Sequence, residues 1–239
     1  MDATESDDST TDDLSFSIEG VWDGLVTCLP VALGVAGYGV VFGVLAHRAG
    51  LSVAEAALMS GTVLAGAAQL VAIELWDTPV PIAAVVLTTL VVNLRYVLMG
   101  AALRPWFRQL SARQAYASVF FITDENWALT VRELRNGSRH GAFLLGSGLT
   151  IWVVWVGATV TGVVAGDAIG DPARYGLDFV LTAVFLTIAV GLWEGQSSLA
   201  PWGVAAAVAV AGAHWLPGRW YILLGGLAAC LAEVGQRGR

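Results

Sequence analysis

A chain of 239 residues with 56% hydrophobic side chains, 13% charged side chains and ten tryptophans does not resemble a soluble domain, which carries about 25% charge. The net charge of −7 is concentrated at one end: eight of the nineteen acids (Asp2, Glu5, Asp7, Asp8, Asp12, Asp13, Glu19, Asp23) precede position 24, leaving a nearly neutral body with no basic soluble surface for nucleic acid. With about 20 apolar residues needed per spanning helix, the length holds about seven or eight spans and no soluble enzyme module.

The first segment, 1–20, is acidic and polar. It has neither a basic n-region nor an apolar h-region, so it is not a cleavable signal peptide, and its composition predicts a disordered tail. The remainder, 21–236, is expected to be one transmembrane domain embedded in the lipid bilayer. Cys28 and Cys230 lie in apolar runs and form no disulfide framework.

Residues 24–46 carry no charge but hold Pro30, Gly34, Gly37, Gly39 and Gly43. That pattern means either very close helix packing, for which Gly39 and Gly43 have the small-xxx-small spacing, or an unwound stretch around Tyr38 that contacts a substrate. The second span, 56–73, is bounded by Glu55 and Glu74 and contains Gly66 and Gln69. A glutamine at that depth serves either as a hydrogen bond to a neighbouring helix or as a substrate contact. The third span, 82–103, carries Asn93 and Arg95. An arginine near the middle of a span costs roughly 2.5–3.5 kcal/mol to insert, so it faces a protein interior or snorkels toward the headgroups.

Two arginine trios, Arg104, Arg108, Arg113 and Arg132, Arg135, Arg139, flank a weaker apolar segment at 116–134 interrupted by Thr123, Asp124, Glu125 and Asn126. The positive-inside rule places both trios on one side. A broken or re-entrant helix satisfies that rule and brings Asp124 or Glu125 within reach of Arg95. Further spans are expected at 142–166, 179–193, 202–213 and 220–232. The fold expectation is therefore all-α: a polytopic bundle of about seven spanning helices plus one broken or re-entrant segment.

Seven full spans would put Arg48, Arg104, Arg108, Arg113, Arg132, Arg135, Arg139, Arg237 and Arg239 on one side, with Arg174 and Arg219 on the other. The amino terminus is then expected outside the cell and the carboxyl terminus in the cytoplasm. A faint repeat at an offset of about 120 aligns Gly37, Thr62, Glu74 and Pro81 with Gly157, Thr182, Glu194 and Pro201, and 43–46 with 162–165. Three spans per unit would make it an inverted repeat.

Enzymatic signatures are missing. The sequence has no P-loop and no dinucleotide fingerprint, and His47, His140 and His214 are scattered without ligand spacing, so neither metal nor cofactor is expected.

Six short stretches in order carry a family likeness: Pro30, Gly34, Tyr38-Gly39 and Phe42-Gly43; Ser60 with Ala65-Gly66-Ala67-Ala68-Gln69; Val92-Asn93-Leu94-Arg95-Tyr96; Ile122-Thr123-Asp124-Glu125; Gly148-Leu149-Thr150 with Trp155; and Gly176-Leu177-Asp178-Phe179 with Phe185. Over 30–193 the chain resembles the AzlC-type branched-chain amino acid permeases. The resemblance implies the large subunit of an exporter in the cytoplasmic membrane, acting on branched-chain and other apolar amino acids with a small AzlD-type membrane protein as partner. Two features depart from the family pattern, the acidic amino tail and Asn126-Trp127.

The expected substrate site is Arg95 for the carboxylate and Asp124 or Glu125 for the ammonium, with Gln69 and Asn93 as amide donors and Tyr38 and Gly66 beside them. Alternatively, Arg95 and the acids pair with one another to hold the broken helix, and a carboxylate exchanges protons. A passive pore or a structural subunit is the reading from another class. A pore needs a continuous polar lining or a charged ring, and neither is evident.

Overall fold

The computed structural model describes residues 14–76, 79–166, 195–215 and 220–237, with positions 168, 179, 186 and 190. The span expected at 179–193 and most of the tail expected at 1–20 lie outside that set. The described chain is helical throughout: α1 (Ile18–Arg48), α2 (Val53–Val63), α3 (Gly66–Glu74), α4 (Ile82–Phe107), α5 (Ala112–Phe120), α6 (Asp124–Arg135), α7 (Phe143–Ala165), a 3₁₀ turn (Gly195–Ser198), α8 (Leu199–Trp215) and α9 (Trp220–Arg237). Among the described residues α1, α4 and α7 are long and apolar enough to cross a membrane, and α2 and α8 are shorter apolar helices. The molecule is a helical membrane protein, as its composition predicts.

Two compact units divide the described residues. Unit 1 holds the chain up to Gly39 together with Arg95–Ala158; unit 2 holds Val40–Leu94 and the chain from Thr159 onward.

Helix α1 is continuous through Pro30 and all its glycines, so the close-packing alternative holds and the chain is not unwound at Tyr38. Its glycines make room for α7. In unit 1 a methyl group on Gly24 would strike the Phe143 carbonyl, and one on Gly39 would meet Ala158 and Trp155; in unit 2 a methyl on Gly43 would strike the Thr159 carbonyl and crowd Gly162. In each unit the paired numbers rise together, so α1 and α7 run parallel. The segments 43–46 and 162–165, similar in sequence, thus lie side by side.

In unit 1, α4 runs against both. The cluster around its last turns (Met99, Leu103, Phe107) includes Leu144 from the start of α7 and packs on Leu14 just before α1. Between antiparallel helices an intervening segment makes no net crossing, and α5–α6 makes none. It enters from the Phe107 end, breaks at 121–123, and returns with α6 alongside the second half of α4. Ser111 and Thr123 cap the two helices. This is the re-entrant segment expected from the arginine pattern.

One expected span is corrected. Residues 56–73 do not form a single helix, because Leu64 takes φ 42° and ψ 41° and ends α2 in the left-handed conformation. A non-glycine residue there costs about 1–2 kcal/mol. The turn brings Gln69 back onto Ser60 at 3.0 Å; along one straight helix the two would stand roughly 13 Å apart. The expected second span is therefore also a folded-back hairpin.

The two hairpins open with matching caps. Ser52 bonds the Glu55 amide and Glu55 returns to the Ser52 amide; Ser111 and Gln114 do the same about 60 residues later. These hydrogen bonds from Ser52 hold the exposed Glu55 carboxyl below its ordinary range. A long helix followed by a capped hairpin thus recurs in α1–α3 and α4–α6, and within unit 1 the two long helices, α1 and α4, are antiparallel. The offset of about 120 is two such steps, which is why α1 and α7 are parallel.

Two expectations about the amino end also change. Residues 14–20, counted in the tail expected over 1–20, make specific contacts: Leu14 N–H donates to Gln109 Oε1 at 2.7 Å, Ser15 N–H to the Arg139 carbonyl at 2.9 Å, and the helix starts at Ile18. Those bonds place the amino end of unit 1 beside both arginine-rich loops, whereas the arginine count had set it opposite them. The second hairpin, unforeseen in that count, is the reason.

Antiparallel α8 and α9 pack in unit 2 through glycines: Gly212 meets Tyr221, and Gly225 meets Ala205 and Ala209.

Candidate functional site

Arg95 lies on α4 roughly 18 Å of helix before Phe107, at about 1.5 Å per residue. Its Nη1 is 2.9 Å from Asp124 Oδ2, with the two side chains 26% and 42% exposed. Asp124 is the first residue of α6, where unpaired backbone N–H groups favour a negative charge. The guanidinium carbon sits 5.2 Å from the centre of the Tyr96 ring, within cation–π range. Arg95 Nε is buried and has no hydrogen-bond partner.

The hydroxyl of Tyr38, buried and also without a partner, is in the field of Glu125, Arg95 and Asp124. Its ring leans on Trp155 with centroids 5.3 Å apart. Glu125, next to Asp124, is exposed. Unit 1 thus assembles Arg95, Asp124 and Tyr38 around the start of a half-helix, with two buried polar atoms, Arg95 Nε and the Tyr38 hydroxyl, that have no hydrogen-bond partner.

Local sequence explains why α6 begins at that level. Thr123 Oγ1 accepts the Asn126 amide, and Asn126 Oδ1 accepts the Thr123 amide at 2.8 Å. Asn126, fully buried, also donates from Nδ2 to the Phe121 carbonyl at 2.7 Å, tying the end of α5 to the start of α6. Gly148 leaves the space this needs, since a methyl group there would run into Phe121 and Asn126. Beyond Asp124, the Trp127 indole N–H donates to the Met99 carbonyl on α4 at 3.1 Å.

The other expected site residues, Gly66, Gln69 and Asn93, belong to unit 2. Gln69 is fully buried and donates to Ser60 Oγ, which shares a 2.9 Å hydrogen bond with Thr159 Oγ1. Gly66 opens α3, whose preceding residue Ala65 supplies no side-chain cap. Asn93 is half-buried, with Oδ1 lacking a partner.

Asn126, Trp127, Ser60 and Thr159 were not among the expected site residues. The Thr123-to-Asn126 spacing is a capping signature that sequence reasoning had available; a hydroxyl inside an apolar helix, such as Thr159, carries no such signal. Among the described residues no group of His, Cys, Asp and Glu is arranged to hold a metal.

A guanidinium with a spare donor, a carboxylate at a helix start and an unpaired phenol together suit a small zwitterion. The comparisons with known proteins agree with a membrane carrier. The chain is 29% identical to the inner membrane protein YgaZ of Escherichia coli K12 over 90% of its own length and 89% of that protein. It is 32% identical to an uncharacterized membrane protein of Archaeoglobus fulgidus, covering 72% and 76% of the two chains. It is 27% identical to the branched-chain amino acid transport protein AzlC of Bacillus subtilis, covering 69% and 65%. No solved structure matches. The model of the AzlC protein family matches residues 30–169, more than half of the sequence and all of the Arg95–Asp124 site, and the chain belongs to that family.

Proposed function

We propose that this protein is a secondary transporter that exports branched-chain and other apolar amino acids across the cytoplasmic membrane. The observation that carries the reading is the Arg95–Asp124 pair at the inner turn of a re-entrant hairpin, with Arg95 Nε and the Tyr38 hydroxyl left without protein partners. Arg95 takes the carboxylate of the amino acid and Asp124 its ammonium, so substrate opens the ion pair and replaces each charge with its own. A small AzlD-type membrane protein is the proposed partner, and residues 21–236 the transport domain. The name of the B. subtilis relative supports the substrate class.

The amino end is proposed to be cytoplasmic, because Leu14 and Ser15 are bonded to Gln109 and Arg139, in the two connections that hold or adjoin the six arginines 104–139. The same rule assigns the carboxyl end, with Arg237 and Arg239, to the cytoplasm. A cysteine replacing exposed Glu19, in a chain lacking Cys230, is expected to react with an impermeant maleimide only after cells are opened. Labelling of intact cells would reverse the assignment.

Counterflow of L-leucine in proteoliposomes tests the function. Arg95→Ala and Asp124→Ala are expected to insert normally and to lose at least about 99% of exchange, since removing one partner strands the other charge. Wild-type rates from either variant would leave a passive pore or a structural subunit as the better reading.

A further inference from the structure

Two bonds join α6 to α4, and the amino acid reading uses one of them. Arg95 and Met99 are one turn apart on α4, and Asp124 and Trp127 are nearly one turn apart on α6, so residues of each pair share a face. The helices run side by side in the same direction: Arg95 meets Asp124 at 2.9 Å and, one turn on, the Met99 carbonyl accepts the Trp127 indole N–H at 3.1 Å. A helical carbonyl already receives an N–H from its own helix, and its second lone pair is what Trp127 takes. Asn126, two residues past Asp124, reaches back to the Phe121 carbonyl and so secures the break before it. The carboxylate is thus held by a bond on either side that carries no charge.

We propose that Trp127 is a positioning residue: its bond to Met99 keeps the start of α6 in register on α4 when a bound amino acid parts Arg95 from Asp124. This rests on the transport reading above. A single ionic rung would let α6 swivel once substrate drew Arg95 away, moving the carboxylate that must then hold the ammonium. The neutral rung does not compete for either charge, so it persists through that exchange.

Trp127→Phe keeps an aromatic ring in the cluster around Met99, Leu103 and Leu134 and deletes the donor. Two readouts on the full chain decide the matter: L-leucine counterflow, and hydrogen exchange of the α6 amides in detergent. Counterflow by W127F is expected to show KM raised at least fivefold with the maximal rate within twofold of wild type. Without ligand, exchange of α6 is expected to stay within twofold of wild type in W127F and in D124A, and to rise at least tenfold in the double variant. Loosening of α6 by W127F alone to the level of the double variant would overturn the proposal, because Trp127 would then be ordinary packing. So would a double variant no looser than D124A, or a lowered maximal rate at unchanged KM. If wild-type protein showed no L-leucine counterflow, the transport reading would fail, while the ligand-free comparison would still decide whether the second rung exists.

Discussion

The two hairpins are built on one plan and closed in opposite ways. Both begin with a serine capping box, break after a short helix and fold back. At its inner turn, α2–α3 is held by Ser60, Gln69 and Thr159, three neutral side chains with no exposed surface. At the corresponding turn of α5–α6 lie Asp124 and its partner Arg95, both partly exposed, with an unused donor beside them. Neutral buried hydrogen bonds stabilise a fold and leave nothing for a ligand to claim. A partly exposed ion pair with spare donors adds little stability for the cost of inserting it, which fits the proposed charged cargo better than a structural role. The same backbone solution is therefore closed by neutral bonds in one unit and carries the proposed binding site in the other.

Exchanging the charges breaks the comparison most severely. If the pair only held α6 in place, Arg95→Asp combined with Asp124→Arg would restore L-leucine counterflow lost in each single variant. With Arg95 selecting the carboxylate at this geometry, the double variant is expected to regain thermal stability but stay at least about a hundredfold below wild type in exchange rate. Rescue of exchange to within threefold would make the charged hairpin as structural as the neutral one.

Gln69→Leu sharpens the contrast from the other side. It removes a buried hydrogen-bonding group of similar size and is expected to cost about 1–3 kcal/mol, seen as a lower melting temperature in detergent, with counterflow per folded molecule within threefold of wild type. Loss of exchange at full stability would move the substrate site into unit 2.

Smaller effects separate the caps. Ser52→Ala and Ser111→Ala should each cost about 1 kcal/mol. Only the first cap titrates: its bonds to Ser52 depress the Glu55 carboxyl, so their contribution is present above the ordinary glutamate value of about 4.3 and lost as pH falls through the depressed one. Hydrogen exchange at the start of α2 is expected to quicken in that acidic window, with no change at α5, where Gln114 takes the same place. Glu55→Gln should abolish the difference.

Much of this was legible in the chain. Arg95 inside an apolar run and two arginine trios around a polar interruption pointed to the charged hairpin, and the glycine spacing of 24–46 to close packing along α1, though not to α7 as its partner. The neutral hairpin was not legible, because its break falls on Leu64, a residue whose type gives no hint of a left-handed turn, and because tertiary hydrogen bonds from Ser60 and Thr159 sustain it. Missing that turn also set the amino end opposite the arginine-rich segments of unit 1, to which Leu14 and Ser15 are bonded. The repeat was detectable only at twice its period: the opposed copies share caps and breaks, whereas the parallel α1 and α7 share the glycines through which they touch.

The claim that Arg95 reads a carboxylate is tested most directly by comparing L-leucine with L-leucinamide, which keeps the amine and side chain but lacks the negative charge. Wild-type protein is expected to bind the acid at least about a hundredfold more tightly than the amide, and Arg95→Gln to reduce that preference to threefold or less, because an unmatched charge is what the discrimination rests on. An undiminished preference in the variant would contradict the account.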